Sequence, residues 1–374
     1  MKIFIRRLKV KGFKNLAETE CFPSERFNLI TGNNAQGKTN FIEAIWIMTG
    51  CRSFRGTRER DFIGFDSSCA EICLEFQNSI RTQNIVMRMC RGTKERKILL
   101  NGIECHGGKK LFEQFQCIAF LPSDIELADG TPDKRRVFTD ICCSQLRPSV
   151  IEYIKRYSLI LANRNAVLKS ISAGKSSRSQ LDVWNEQLAQ TGAYLSLVRK
   201  NYAGRLNSVA GNLYSGITAG TEKLDISYHS GIYPPDYRYP EKADAAMRDI
   251  YISRLEDTCD DDIRLGYTQY GTHRDDLMLE INGLPVRTYG SQGQKKSSSL
   301  VMKLAQADIL RHEKGESPVI LLDDVMGELD ESRQNLVSRI IDGMQVFITS
   351  CNAESVKTEG NRLYCMKKGI LSRI

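Results

Sequence analysis

The stretch Gly32-Asn33-Asn34-Ala35-Gln36-Gly37-Lys38-Thr39 constrains this chain more than any other. An apolar run, Phe27 to Ile30, precedes it. An amphipathic segment from Asn40 to Met48 follows, with Phe41, Ile42, Ala44, Ile45 and Ile47 as its buried side. That order predicts a strand, a glycine loop and a helix. Each residue type has a physical reason: glycines let the backbone wrap phosphates, the loop N–H groups and the helix N-terminus attract anions, Lys38 reaches the outer phosphates, and Thr39 can hold Mg²⁺. The rival is a plain Gly/Asn turn that happens to carry Lys-Thr, and only a second nucleotide motif decides between them.

Pro318-Val319-Ile320-Leu321-Leu322-Asp323-Asp324 supplies that motif. A short apolar run ending in carboxylates reads as a buried parallel strand, whose C-terminal end is where α/β sheets bind ligands. Asp323 is expected to complete a Mg²⁺ shell with Thr39, and Asp324 to orient or deprotonate an attacking water. A solvated Asp pair at a helix cap would explain the strand alone but not its combination with the glycine loop. A third element, Tyr289-Gly290-Ser291-Gln292-Gly293-Gln294-Lys295-Lys296-Ser297, leads into a helix through Leu300, Lys303, Leu304, Ala307 and Leu310. Small hydroxyl and glycine residues at a helix start make another anion site. Two phosphate-seeking helix starts in one chain predict a nucleotide sandwiched between two copies.

The chain has 374 residues, 41% hydrophobic and 26% charged, with a formal net charge of +8. That suits one large or two moderate soluble domains and a polyanionic partner. No apolar run is long enough to span a bilayer, and the N-terminus, with charge interleaved among apolar residues, reads as a strand and not as an export signal. The twelve cysteines show no metal-type spacing and include the adjacent Cys142-Cys143, so free thiols in a reducing cytoplasm are expected. Four histidines are too few and dispersed for a metal site.

Ala70–Phe76, Asn84–Met89 and Lys97–Leu100 alternate as strands of an antiparallel sheet, with Asn101-Gly102 as a turn. Helix takes over near Asp124. Val150, Ile154, Tyr157 and Leu161 form one helical face, and Trp184, Leu188, Thr191, Leu195 and Val198 a second, joined by a polar loop. An antiparallel helix pair follows, its aromatic and Met residues read as core. Strands return at Leu224–Tyr228 and Asp276–Ile281, the latter closed by Asn282-Gly283. The division expected is 1–122 and 221–374 for an interrupted nucleotide-binding part, and 123–220 for a helical lobe.

Together the glycine loop, Ser291-Gln292-Gly293-Gln294, the Asp323-Asp324 strand and Gly327-Glu328-Leu329-Asp330 resemble the ABC-type ATPase heads of the SMC and RecF group. More narrowly the chain is similar to the RecF family. Gly12-Phe13-Lys14-Asn15-Leu16, Arg52-Ser53-Phe54-Arg55, Phe120 to Asp124, Gly130 to Arg136, Leu181 to Leu188 and Gly271-Thr272-His273-Arg274-Asp275-Asp276-Leu277 carry that likeness through nearly the whole chain.

The resemblance implies an α/β ABC-type head, a P-loop sheet with an antiparallel β subdomain, interrupted by the helical lobe. It implies that Gly32 to Thr39 hold ATP and Mg²⁺ in the same subunit. Ser291, Gln292 and Gly293 would contact ATP held by a partner copy, with Asp330 at the same interface of an ATP-dependent homodimer. It also implies single-stranded and gapped DNA as ligands, RecO and RecR as partners in loading RecA, and a place in DNA replication, repair and SOS induction. Asp324 stands where transporter ATPases carry Glu, which leads us to expect slow hydrolysis that times release. The family's usual γ-phosphate-sensing Gln is absent within Phe120 to Ser123, Thr272 replaces the family's Pro, and Thr349 and Ser350 stand where transporters place a switch His.

Candidate DNA contacts are Arg52, Arg55, Arg58 and Arg60, then Lys94, Arg96 and Lys97, then Lys134, Arg135 and Arg136, each cluster being a solvated face otherwise. Lys14 is a candidate phosphate contact. His273, beside Asp275 and Asp276, reads as structural or interfacial and not as an acid/base group. Two rivals remain: a small-metabolite kinase, which needs no Ser291 motif, and a transporter motor subunit, against which the missing Glu and His count.

Overall fold

The computed structural model describes residues 2–93, 96–351 and 362–374. Two compact units emerge, Met1–Ile125 with Leu300–Ile374, and Glu126–Ser299. In the first unit, strict alternation of buried and less buried residues along Cys69–Gln77 and Thr82–Cys90 gives two long paired strands. They lie in an antiparallel sheet ordered Thr19–Cys21, Phe4–Lys11, Cys69–Gln77, Thr82–Cys90, Lys97–Leu100, Ile103–Glu104. Asn101 and Gly102, with φ of 51° and 82°, make the two-residue turn between the last two strands.

The second sheet of this unit is built differently. Val319–Asp323 is buried at every position and pairs in parallel with Val346–Ser350 on one side and Cys117–Phe120 on the other. Phe27–Thr31 and Arg362–Lys367 extend the parallel order, and Ile370–Arg373 closes the edge antiparallel. Strands covered on both faces need no polar alternation, which is why they read as continuous apolar runs. The helix Lys38–Ile47 contacts three of these strands through a side that buries Phe41, Ile42, Ala44 and Ile45. The buried Gln345 amide ties the two sheets together: its Oε1 accepts from Ile5 N at 2.6 Å and its Nε2 donates to Ile5 O at 2.9 Å.

Cys69 and Cys90 correct the expectation of free thiols throughout, because they are joined by a disulfide. Antiparallel register sets them directly opposite one another. Tests for metal-type spacing cannot see such a cross-strand pair. Elsewhere burial pushes the Cys21 and Cys51 thiols up to about 12, which leaves them unreactive.

In the second unit the helices Val150–Ser172 and Leu181–Ile217 pack as an antiparallel pair: the Tyr153 ring meets that of Tyr194 at a tilt, and Arg164 bonds Asn185, so partners descend along one helix as they ascend the other. Leu188, Thr191 and Leu195 are buried as their spacing predicts. The first helix turns slightly from its expected face, burying Tyr157, Ile160, Arg164 and Leu168 while Leu161 stays half-buried. An apolar count misses Arg164, which is fully buried and donates to Asp262 Oδ2 at 2.7 Å.

The expected return to the head at residue 221 is not what the fold does. Leu224–His229 packs on the long helix Leu181–Ile217 and pairs with Asp276–Ile281, which pairs in turn with Leu284–Pro285. This small sheet stays in the second unit, and the chain rejoins the first at Leu300, within the helix Gln292–Lys314.

Buried charge organises this unit. Arg199 donates to Asp140 at 2.8 Å and to Asp275 at 2.9 Å, and Asp275 also accepts from Tyr228 Oη at 2.6 Å and Gly231 N at 2.9 Å. Burial pushes the Asp275 carboxyl up to about 6 against the pull of Arg199. His273 is held between Tyr157 Oη, 2.9 Å from Nδ1, and Thr268 O, 3.0 Å from Nε2, and burial lowers it from 6.5 to about 4.

A histidine depressed in the fold contributes stability that is complete above about 6.5 and lost as pH falls towards about 4, because the unfolded chain binds the proton first. Asp275 acts in the opposite sense through an overlapping window. His273→Gln should therefore flatten the acid side of the stability curve by about 2–3 kcal/mol between neutral pH and about pH 4.5. Urea unfolding of both proteins at the two pH values checks this, and parallel curves would refute it.

Candidate nucleotide site

The glycine loop takes its shape from three residues at positive φ: Gly32 at 149°, Ala35 at 64° and Gly37 at 113°. A Cβ on Gly32 would stand 2.3 Å from Met366 O, so only glycine fits there. The helix begins at Lys38 with no side-chain cap and no acidic residue in its first turn, which leaves its first N–H groups to an anion. Outside support comes from Asn15, whose amide donates to Ala35 O at 3.4 Å and accepts from Asn40 Nδ2 at 2.6 Å, and from Gln36, whose side chain accepts from Lys368 N at 2.6 Å.

Lys38 and Thr39, side by side at the helix start, make different contacts. Lys38 Nζ lies over the loop, donating to Gly32 O at 2.6 Å and Asn33 O at 3.2 Å. Thr39 Oγ1 donates to Asp323 Oδ1 at 3.0 Å. Because Asp323 is register partner to Thr349, Thr349 Oγ1 reaches the same oxygen at 2.7 Å and accepts from Asp324 N at 3.0 Å. Asp324 takes φ of 58°, a left-handed conformation that turns the chain away from the strand end. Burial raises the Asp323 carboxyl, against the Thr349 and Thr39 hydrogen bonds and the charge of Arg55. A hydroxyl beside a carboxylate is a hard-oxygen donor pair that fits Mg²⁺ completed by phosphate oxygens and water. Among the described residues no cluster of three or more His, Cys, Asp or Glu competes for a metal.

Cys351 belongs to the site and was not anticipated. Its Sγ lies 3.5 Å from Lys38 Nζ, 3.0 Å from Asn34 Oδ1 and 3.7 Å from Asp324 Oδ2. The sequence comparison with transporter ATPases singles out Thr349 and Ser350 and leaves Cys351 unmarked. The signal was position, since Cys351 follows the end of the strand beside Asp323.

Ser291 forms a reciprocal cap on the helix Gln292–Lys314: Gln294 N donates to Ser291 Oγ at 3.2 Å, and Ser291 N to Gln294 Oε1 at 2.8 Å. Ser291, Gln292 and Gly293 are exposed around it, and Gln294 Nε2 is fixed by Glu222 at 2.8 Å. Asp330 caps Glu331–Ile340, accepting from Arg333 N at 2.9 Å.

The cationic clusters fare unevenly. Arg135 is buried and grips Asp276 with two bonds of 2.7 and 2.8 Å, so it is a core ion pair and not a DNA contact. Arg136 is half-buried and donates to Asp275 O at 2.7 Å, while exposed Lys134 pairs with Glu126 at 2.6 Å. Arg55 donates to Asn40 Oδ1 at 3.3 Å and belongs to the surroundings of the nucleotide site. Arg96 pairs with Glu59 and Lys97 with Glu104, Arg60 pairs with Asp61, and Lys94 lies outside the described residues. Arg52 and Arg58 are exposed. Lys14 is no phosphate contact: its ammonium pairs with the fully buried Glu43, which Ser53 also bonds.

The family model described as RecF/RecN/SMC N terminal domain matches residues 4–370. A DNA replication and repair protein RecF from Desulforamulus reducens is 36% identical over 348 residues, 92% of this chain and 91% of that protein. One so named from Bacillus subtilis is 32% identical over 361 residues, covering 96% and 95%. A solved structure of the recombination mediator protein RecF with ATPrS, from the RecFOR pathway, matches at a TM-score of 0.93 and 31% identity over 100% of this chain and 98% of that one. An Smc head domain from Pyrococcus furiosus, bound to the C-terminal domain of ScpA, shares the fold at a TM-score of 0.55 and 16% identity, covering 100% and 96%. The architecture is thus that of the ABC-type ATPase heads.

Thr349→Val keeps the side-chain shape but removes the donor to Asp323 and the acceptor for Asp324 N. Stability in urea should fall by about 1–3 kcal/mol, and Thr349→Ser should recover most of it. Equal stability of all three proteins would show that these bonds do not hold the strand end.

Proposed function

The chain belongs to the RecF family, and on that premise we propose that it binds ATP with Mg²⁺ and acts on DNA in replication and recombinational repair. The observation that carries this reading is the junction at Asp323, where Thr39 of the loop helix and Thr349 of the neighbouring strand meet one carboxylate oxygen. Around it, the backbone from Gly32 to Thr39 would cradle the phosphates, and Lys38 would move from the loop carbonyls to the outer ones. Thr39 and Asp323 would hold Mg²⁺, which neutralises phosphate charge when bound. Asp324 would position the attacking water and accept its proton.

An Asp at that position reaches one methylene less far than Glu. That supports slow, weak ATPase activity coupled to release from DNA. Ser291, Gln292 and Gly293, exposed at a capped helix start, would meet the ATP of a second copy, and Asp330 would contact that copy too, as the family resemblance implies. Two nucleotides would then close a homodimer by mass action. Its ligand would be single-stranded and gapped duplex DNA in the cytoplasm. RecO and RecR would be the partners in loading RecA, upstream of SOS induction, as the family resemblance implies.

Fluorescence anisotropy of a gapped duplex tests the reading. Binding should strengthen with ATP over ADP or no nucleotide, and Lys38→Met and Ser291→Arg should each abolish that gain, since they serve opposite faces of one nucleotide. Binding that ignores nucleotide would sink it. Exposed Arg52 supplies a separate expectation. Arg52→Glu should weaken DNA binding and lower the slope of log K against log salt by about 1, whereas an unchanged slope removes Arg52 from the contact.

A further inference from the structure

The second unit carries an aromatic and cationic cleft that the nucleotide site does not use. It has a volume of about 600 Å³, and its lining includes Tyr233, Arg254, Tyr267, Gln269, Tyr270 and Arg274. The guanidinium of Arg254 lies 5.0 Å from the centroid of the Tyr270 ring, and that of Arg274 lies 6.0 Å from the Tyr267 ring. Both rings remain open, 40% and 41% exposed. A second cleft of about 590 Å³ is lined by Lys200, Arg205, Tyr237 and Tyr239, and Lys200 Nζ lies 5.9 Å from the Tyr239 ring. Tyr233 joins the two: it stacks on Tyr237 at 4.9 Å and meets Tyr239 edge-on at 5.4 Å.

The chain holds these rings out deliberately. Thr268 is buried between Tyr267 and Gln269, its N–H donating to Asn165 Oδ1 at 2.8 Å, while Gln269 N donates to Asp262 Oδ1 at 3.0 Å. With the backbone fixed from behind, Tyr267 and Tyr270 face outward. On the other wall, Ser230 Oγ accepts from Ile232 N and Tyr233 N at 3.0 Å each, and Tyr233 Oη donates to Met247 O at 3.0 Å. Pro234, Pro235 and Pro240 restrict the loop that carries Tyr237 and Tyr239.

Three pairs, each a cation over a tyrosine, set planar π faces beside fixed positive charges. An unpaired nucleic-acid strand has the complementary order, base faces alternating with phosphates, and stacking on aromatic rings is how such strands are held without regard to sequence. A duplex hides its base faces, and an acidic peptide would use the cations but leave the rings without partners. We propose that this face of the second unit binds an unpaired stretch of single-stranded DNA, bases on Tyr267, Tyr270 and Tyr239 and phosphates on Arg254, Arg274 and Lys200. The proposal rests on the DNA reading given above and assigns its single-stranded part to a surface.

The test measures anisotropy of a short labelled oligo(dT) and of a blunt duplex, with ATP and Mg²⁺, for the full chain and two double variants. Tyr267→Ala with Tyr270→Ala should weaken oligo(dT) binding by about tenfold or more and leave the duplex within about twofold. Tyr267→Phe with Tyr270→Phe should bind oligo(dT) like the unaltered chain. A photoreactive oligo carrying 5-iododeoxyuridine should crosslink to the unaltered chain at the segment containing Tyr267 and Tyr270, a readout that does not depend on any variant folding. Crosslinks confined elsewhere, an unchanged oligo(dT) affinity in the alanine variant, or displacement of oligo(dT) by oligoglutamate at equal phosphate and carboxylate concentration would each overturn it. Duplex binding without oligo(dT) binding defeats this proposal alone, whereas binding of neither DNA defeats the DNA reading as well.

Discussion

One carboxylate oxygen sets the terms for the first unit. Thr39 and Asp323 are 284 residues apart in sequence, yet Thr39 Oγ1 and Thr349 Oγ1 both reach Asp323 Oδ1. That meeting requires three parallel strands in one register, with Asp323 beside Thr349 and Thr349 beside Ile30. A slip of one residue would turn Thr349 to the opposite face and undo it. The same strand is fixed at its start by Gln345, which bonds the backbone of Ile5 in the antiparallel sheet. Packing between the sheets and the position of the Thr39, Thr349 and Asp323 side-chain oxygens are therefore coupled through the five residues of Val346–Ser350.

The second unit solves a different problem, placing an aromatic and cationic surface on a helical scaffold with buried ions as its fixings. Arg164 and Asp262 are wholly buried, and Arg199, Asp140 and Asp275 form a second set. Such pairs contribute little net stability over apolar packing, but losing one partner strands the other at about 3–5 kcal/mol. Their value here is positional. Asp262 holds Gln269 N and Asp275 holds Gly231 N, so both walls of the tyrosine cleft are attached to buried carboxylates. Arg199 also donates to Thr272 O at 2.6 Å, fixing the turn between them.

The backbone geometry of the candidate nucleotide site was legible in the sequence because it is local. Glycines at positive φ, the helix start and the apolar strand ending in Asp each occupy a few consecutive residues, and parallel-strand burial prints itself as an unbroken apolar run. What remained hidden depends on partners distant in sequence. Nothing in Asn15 alone points to a brace for Ala35, and Cys351 joins the site only through strand order. Cys69 and Cys90 meet through antiparallel register, and the strand Leu224–His229 reads the same whether it rejoins the first unit or packs on the long helix, as it does.

Charge is where reading by composition failed most instructively. A run such as Lys134-Arg135-Arg136 looks uniform, but helical geometry sends its members to different fates: Arg135 inward to Asp276, Arg136 to the Asp275 carbonyl, Lys134 to a surface Glu. Adjacent residues on a helix point about 100° apart, so a contiguous basic run rarely forms one surface. The cations lining the tyrosine cleft are the converse case. Lys200, Arg254 and Arg274 come from separate segments and form no run, yet each stands over a ring. A nucleic-acid surface on this fold is better sought where cations and exposed aromatics are brought together by tertiary structure than where basic residues are consecutive.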